Sequence, residues 1–430
     1  MRRGDALAAA TALFDLDESS IRCPYPIFDA LREADPVAWV ESLDAYVVTR
    51  YDLVVEVLRQ PELFSSRYTT GRTTDRQIAA LLRELRTEDA EIGAMLARRA
   101  EHGTTPVLVR ADPPIHGRQR ALVNRAFSPA AIRALEPDIE ALARSLVDGF
   151  ADRGSVELVS EFAVPLPMTV IAQALGVALD RRDDFKRWSD GIVGGIGRTG
   201  MGKAELTEVV RARSELEAYL VEVIDEREQR PTDDLVSRIV HARVDGERLT
   251  HHEIMDMVVQ FLLAGNETTA KLISATALRL ALDADLAARL RRDPELVAPF
   301  LEEVLRLEPP SSGNYRIATA DYELSGTHIP AGSALWLVYA AGNRDPATFD
   351  APEECRVDRA AESPHLSFGL GPHFCLGAGL ARAESRIAVQ ALLSRCDDLG
   401  LAIEPSDILY EASYLVHGIR ALPLTFRARS

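Results

Sequence analysis

Apolar residues recur at three- and four-residue intervals through most of this chain. The stretches 134–151 (ALEPDIEALARSLVDGFA) and 205–228 (ELTEVVRARSELEAYLVEVIDERE) combine that period with many strong helix formers, which predicts amphipathic helices. Strand-like clustering is sparse and short. VAWVES (37–42), AYVVTR (45–50), ALWLVYAA (334–341) and IRALPLTFR (419–427) group β-formers between turn residues and predict small sheets on a helical body. The expected fold class is mainly α with small β-sheets. No internal repeat or low-complexity linker interrupts the pattern, so a single domain over 1–430 is expected. Two stretches read as loops: the charged segment 64–110, and GIVGGIGRTGMG (191–202), where glycine makes order costly.

One helix departs from the amphipathic pattern. In LTHHEIMDMVVQFLLAGNETTAKLISATALRLALD (249–283), Thr250 followed by Glu253 forms a capping box, which accounts for the HHE cluster without a metal. Val258, Val259, Phe261, Leu262 and Leu263 then leave almost no polar face, the mark of a helix buried on most sides. Polar GNETT (265–269) interrupts this wall. Gly265 leaves room beside the helix, and the Thr268 hydroxyl can reach back to the Ala264 carbonyl, loosening the ladder and bending the helix. A tolerated kink explains this; so does a polar groove in which Glu267 and Thr268 pass protons to something bound.

The charge balance, 49 basic against 66 acidic residues, nets −17 over 430 residues and argues against nucleic acid or anionic membranes as partners. Four cysteines (Cys23, Cys355, Cys375, Cys396) show neither CxxC nor dense spacing, which fits a reducing cytoplasm. No run is long enough to span a bilayer, so no membrane anchor is expected, and Asp5 interrupts the apolar N-terminal stretch. A formal GxGxxG at Gly195, Gly197 and Gly200 follows charged, helix-like RRDDFKRWSDG rather than a buried strand, which favours a loop over a dinucleotide site.

The sharpest local signal is FGLGPHFCLG (368–377). A strong helix pattern follows Cys375, so its sulfur lies at a helix N-terminus, where unpaired N–H groups and the dipole favour a thiolate. Gly369 and Gly371 permit a tight reversal and Phe368 can shield the sulfur. This motif resembles that of the cytochrome P-450 family, the haem-thiolate monooxygenases, and of the soluble bacterial type in particular. The resemblance extends over nearly the whole chain.

The resemblance implies a haem b with Cys375 as its axial ligand. It implies further cofactor contacts from His116, Arg120, Ala264, Arg316, Phe368, Gly369, His373 and Gly377. Ala264–Thr269 matches the oxygen-activating segment, with Glu267 and Thr268 as an acid and alcohol pair. Glu303 and Arg306 match the ExxR pair, a structural lock completed by Arg359 or Arg356. The substrate pocket is expected from Val259, Leu263, Ser312, Asn314, Tyr414 and Leu415, on segments that include SSGNY (311–315) and a hairpin at 413–416. The polarity of SSGNY suggests a substrate bearing hydroxyl, amide or carboxylate groups. The implied partners are a small organic substrate, O2 and a ferredoxin, which arginines near the cysteine loop could meet. The competing readings are a non-catalytic haem-binding sensor and a nicotinamide-dependent dehydrogenase.

Overall fold

The computed structural model describes residues 3–67, 72–101, 106–177, 181–193, 201–359 and 363–429. Its axis is the helix His251–Leu282, 32 residues long and therefore about 48 Å from end to end. Both halves of the capping box form: the Thr250 hydroxyl accepts from the Glu253 N–H, and the Glu253 carboxylate accepts from the Thr250 N–H at 2.9 Å. Helices Pro165–Ala174, Lys203–Gln229 and Ala378–Arg395 pack around this rod, which explains why its apolar residues leave so little polar surface. The helix Pro129–Ala151 lies against Ala378–Arg395 and contributes Ile139, Ala143, Val147 and Phe150 to the same core.

The described strands are β1 (Val37–Val40), β2 (Ala45–Val48), β3 (Phe64–Ser65), β4 (Ser155–Glu157), β5 (Asn314–Ala318), β6 (Tyr322–Leu324), β7 (Thr327–Ile329), β8 (Ala334–Leu337), β9 (Cys396–Leu401) and β10 (Pro423–Ala428). They form a five-stranded sheet in the order β1-β2-β8-β5-β3, a three-stranded sheet β4-β10-β9 and the pair β6-β7. Only β2 and β8 run parallel. β1, β2, β8 and β10 lie in the four segments whose β-formers predict them. β5 is disguised by its polar start, and β9 by the charges of CDDLGL.

The segment 64–110 is not a loop. It contains the helices Arg72–Glu88 and Ala90–Glu101, whose Ile78, Leu81, Leu82, Leu85 and Ile92 pack on Met201, Leu206 and Val210. That stripe has helical spacing, but the dense charge on the opposite face masks it. In the stretch 191–202, Gly191–Val193 end a helix that begins at Arg182, and the three GxGxxG glycines lie outside the described residues. No described helix is long and apolar enough to cross a membrane.

Candidate active site

The cysteine loop is tied to itself by backbone bonds. The Cys375 N–H donates to the Phe368 carbonyl at 2.8 Å, Gly369 N–H to Leu366 at 2.7 Å and Phe374 N–H to Gly371 at 3.0 Å. Gly369 and Gly371 take φ of +68° and +71°, where a side chain is strained, and a Cβ on Gly371 would lie 2.8 Å from the Leu58 carbonyl oxygen. The Phe368 ring lies under the Arg382 guanidinium at 4.5 Å. Gly377 is the N-cap of the following helix, so the loop ends at first-turn N–H groups beside the sulfur. Burial pushes the Cys375 thiol above its ordinary pKa, against the pull of the Gly377 and Ala378 N–H groups and of the Arg120 and Arg382 charges. The helix-end donors and the two arginines favour the thiolate, and desolvation opposes it. A metal ion on the sulfur deprotonates it outright.

Beneath the loop, Arg306 and Glu303 meet at 2.8 Å, both buried. The Arg306 guanidinium also donates to the carbonyls of Asn343 (3.1 Å), Pro352 (2.6 Å) and Glu354 (2.8 Å). Of the two arginines left open, Arg359 places its guanidinium 3.1 Å from Glu303, whereas Arg356 offers its backbone N–H at 2.9 Å and turns its side chain to Asp350. Sequence reasoning missed the buried run Asn343-Arg344-Asp345, although three polar residues directly after apolar ALWLVYAAG were a visible signal. The Asn343 carboxamide accepts from Leu366 N–H at 2.6 Å and donates to Ser367 at 2.9 Å, which joins the lock to the cysteine loop.

Four cationic or imidazole side chains from three distant segments converge. His116 and His373 lie with ring centroids 4.0 Å apart at an interplanar tilt of 32°, and Arg120 and Arg316 act on both. Burial lowers both histidines, His373 to about 3, with the neighbouring positive charges adding to the effect. His373 also meets Ser66 at 3.1 Å, a contact not legible in the sequence. Arg316 is buried, and among the described residues its guanidinium hydrogen-bonds to the Tyr315 carbonyl at 2.7 Å. Among the described residues, no carboxylate lies within ion-pair distance of Arg120 or Arg316. Buried cations need anions, so this set fits a dianionic cofactor such as haem with its two propionates.

On the central helix, the Thr268 hydroxyl donates to the Ala264 carbonyl at 2.6 Å. Ala264 is exposed along the helix, and a Cβ on Gly265 would meet nothing within 4 Å, so open space lies beside this turn. The helix nonetheless continues unbroken from His251 to Leu282; the expected fault is confined to the side-chain bond. Glu267 points elsewhere. Its carboxylate pairs with Lys271 at 2.8 Å, and Lys271 also meets Glu411 at 2.8 Å.

The pocket residues divide. β5 alternates faces, so Asn314 shares the Arg316 side, while Tyr315 turns the other way and bonds the Tyr414 hydroxyl at 3.1 Å. Tyr414 is buried against Phe14 and Trp336 at 5.3 Å each, and Leu415 belongs to the same hydrophobic cluster. Ser312 is buried and donates its N–H to the Leu415 carbonyl at 2.8 Å, joining the two segments through backbone. Val259 lies in the core, and Leu263 is half-buried at its edge. The polarity of SSGNY is largely internal: Ser311 bonds Gly313, and the Asn314 oxygen accepts from Tyr315 N–H.

Comparison with known proteins agrees with this geometry. The Cytochrome P450 family profile matches residues 201–399. Cytochrome P450 107B1 of Saccharopolyspora erythraea is 37% identical over 388 residues, 90% of each chain. The structure of cytochrome P450 CYP109Q5 from Chondromyces apiculatus superposes with a TM-score of 0.82 at 34% identity, covering 96% of this chain and 98% of that one. CYP109E1 from Bacillus megaterium in complex with corticosterone gives 0.81 at 33%, covering 95% and 99%. The chain belongs to the cytochrome P450 family of haem b monooxygenases.

Proposed function

We propose that this monooxygenase inserts one oxygen atom into a small organic molecule bearing polar groups, in secondary or catabolic metabolism in the cytoplasm, with electrons from a ferredoxin and its reductase. The observation that carries the site assignment is the convergence of His116, Arg120, Arg316 and His373 with no carboxylate partner for the two arginines among the described residues. Cys375 would be the haem ligand, these four would hold the propionates, and Glu303, Arg306 and Arg359 would keep the loop rigid. The bound haem supplies reductive activation of O2. The protein side of the chemistry is proton handling: the Thr268 hydroxyl, already fixed on Ala264 beside open space, is the alcohol donor, and Glu267 is its acid.

For the substrate, Asn314 supports polar recognition. It lies on the Arg316 face of β5, and its amide nitrogen makes no hydrogen bond among the described residues. The complex of CYP109E1 with corticosterone, an oxygen-bearing ligand, points the same way. For the electron donor, helices Pro129–Ala151, Val297–Leu307 and Ala378–Arg395 enclose a groove of about 320 Å³ that includes Arg133, Arg382 and Arg386. Exposed Phe374 projects from the cysteine loop. Arg359, engaged by Glu303, is not available there.

Thr268→Ala tests the function. Product per O2 consumed should fall about tenfold or more while O2 uptake continues, with the reduced carbon monoxide spectrum unchanged. Full coupling in that variant would refute the acid and alcohol assignment. The substrate reading would be refuted by unfunctionalised hydrocarbons binding as tightly as oxygenated compounds.

A further inference from the structure

Lys271 lies one helical turn beyond Glu267, and its side chain is only 6% exposed. Lysine is almost never buried unless paired. This one contacts two carboxylates at 2.8 Å, Glu267 on its own helix and Glu411 from a turn bridged at Tyr410 and Ile419. The turn also closes over the lysine stem: a Cβ on Gly418 would lie 2.5 Å from Lys271 Cε. Exposure falls from 37% at Glu411 to 6% at Lys271 and 11% at Glu267. The three groups therefore form a hydrogen-bonded line from solvent to the residue next to Thr268.

Pairing of an acid and an alcohol does not by itself require this line. Glu267 reaches toward the C-terminal end of the helix, to residue i+4, whereas Thr268 reaches toward the N-terminal end, to i−4. The acid is held away from its proposed partner by its charge. Burial raises the proton affinity of Glu267 and Glu411 adds to it, while Lys271 opposes both.

We propose that Lys271 is the proton carrier between Glu411 and Glu267, and that one proton transfer both loads the acid and releases it. This rests on the reading of Glu267 and Thr268 as acid and alcohol. The Lys271 ammonium gives a proton to the Glu267 carboxylate, leaving a neutral amine and a neutral acid. The Glu411 carboxylate takes a proton from a hydronium ion in solvent and passes it to the Lys271 amine, returning to carboxylate; once Glu267 has given its proton up at Thr268, one proton has entered per cycle and all three charges are restored. Neutral Glu267 is no longer held by ionic attraction and can turn about its side-chain torsions toward Thr268. Lys271 and Glu411 are the charged groups acting on Glu267 among the described residues.

The test compares Lys271→Met with Lys271→Arg, because arginine keeps the ion pair but does not surrender a proton at neutral pH. In the haem-loaded protein, both should lower product per O2 consumed about tenfold, and Glu411→Gln should move the optimum of coupling against pH. Difference infrared spectra of the carboxyl region provide a readout independent of turnover. Lys271→Met should show a larger protonated fraction of Glu267 than the wild type at the same pH, absent from its Glu267→Gln double variant, and Lys271→Arg should not. Restored coupling in Lys271→Arg would overturn the carrier role and leave a structural ion pair. If Thr268→Ala stays coupled, the acid and alcohol reading itself fails; if it uncouples while both Lys271 variants stay coupled, only the carrier fails.

Discussion

Glu384 is buried in the helix after the cysteine loop, with no charged partner among the described residues and one carboxylate oxygen without a hydrogen bond. Burial alone raises its pKa to about 8 from 4.5. The native state thus holds a proton that the unfolded chain has already released between those values, so stability falls as pH rises through that window, by up to about 1.4 kcal/mol per pH unit. Glu384→Gln should therefore match the wild type near pH 4.5 and exceed it increasingly up to pH 8. Melting temperatures at pH 5 and pH 8 check this; a constant difference would show that the carboxyl is not protonated. Nothing near Glu384 in the sequence announces its isolation. Cys375 is the opposite case, because its loop is built from neighbours within ten residues and the glycine conformations follow from them. The desolvation that opposes its ionisation, by contrast, is imposed by the whole fold.

At the scale of elements, the helix Val297–Leu307 is held to the cysteine loop by one guanidinium. Arg306 meets Glu303 and three backbone carbonyls, and removing it would take the guanidinium from the Asn343 and Pro352 carbonyls and leave Glu303 and the Glu354 carbonyl to Arg359 and the Arg356 N–H. Arg306→Ala should cost about 3–5 kcal/mol and release haem. Calorimetry and the haem-to-protein ratio test both, and a variant that keeps full haem content would refute the lock. The i,i+3 spacing of this pair is visible in the sequence. Its choice of Arg359 over Arg356 is not, since the two lie 56 and 53 residues from Glu303 and neither separation favours one of them. The helices Arg72–Glu88 and Ala90–Glu101 were hidden for a different reason. Their apolar stripes are narrow, and the residues that cover them, Met201, Leu206 and Val210, lie about a hundred positions later.

Across the whole molecule, a net charge of −17 coexists with a groove beside the cysteine loop where three arginines face two glutamates, Glu136 and Glu302. On the proposed reading, an acidic ferredoxin at that groove would gain local attraction against the global repulsion, and salt would screen both. Arg133→Glu should slow reduction by ferredoxin at low salt and approach the wild type as salt rises. Stopped-flow reduction checks this, and an unchanged rate at low salt would move the docking face elsewhere. The sequence by itself determined the helical class, the four β segments, the capping box, the cysteine loop and the i,i+4 pair His116 and Arg120, because each rests on contacts within about one or two turns. Only the tertiary structure decided which way Glu267 faces, since its lysine is claimed by a glutamate 140 residues away. It likewise decided that Tyr414 fills the core, that Arg316 joins the cation cluster and that the Cys375 thiol is desolvated. Burial and long-range charge pairing set those outcomes, and neither is written in local spacing.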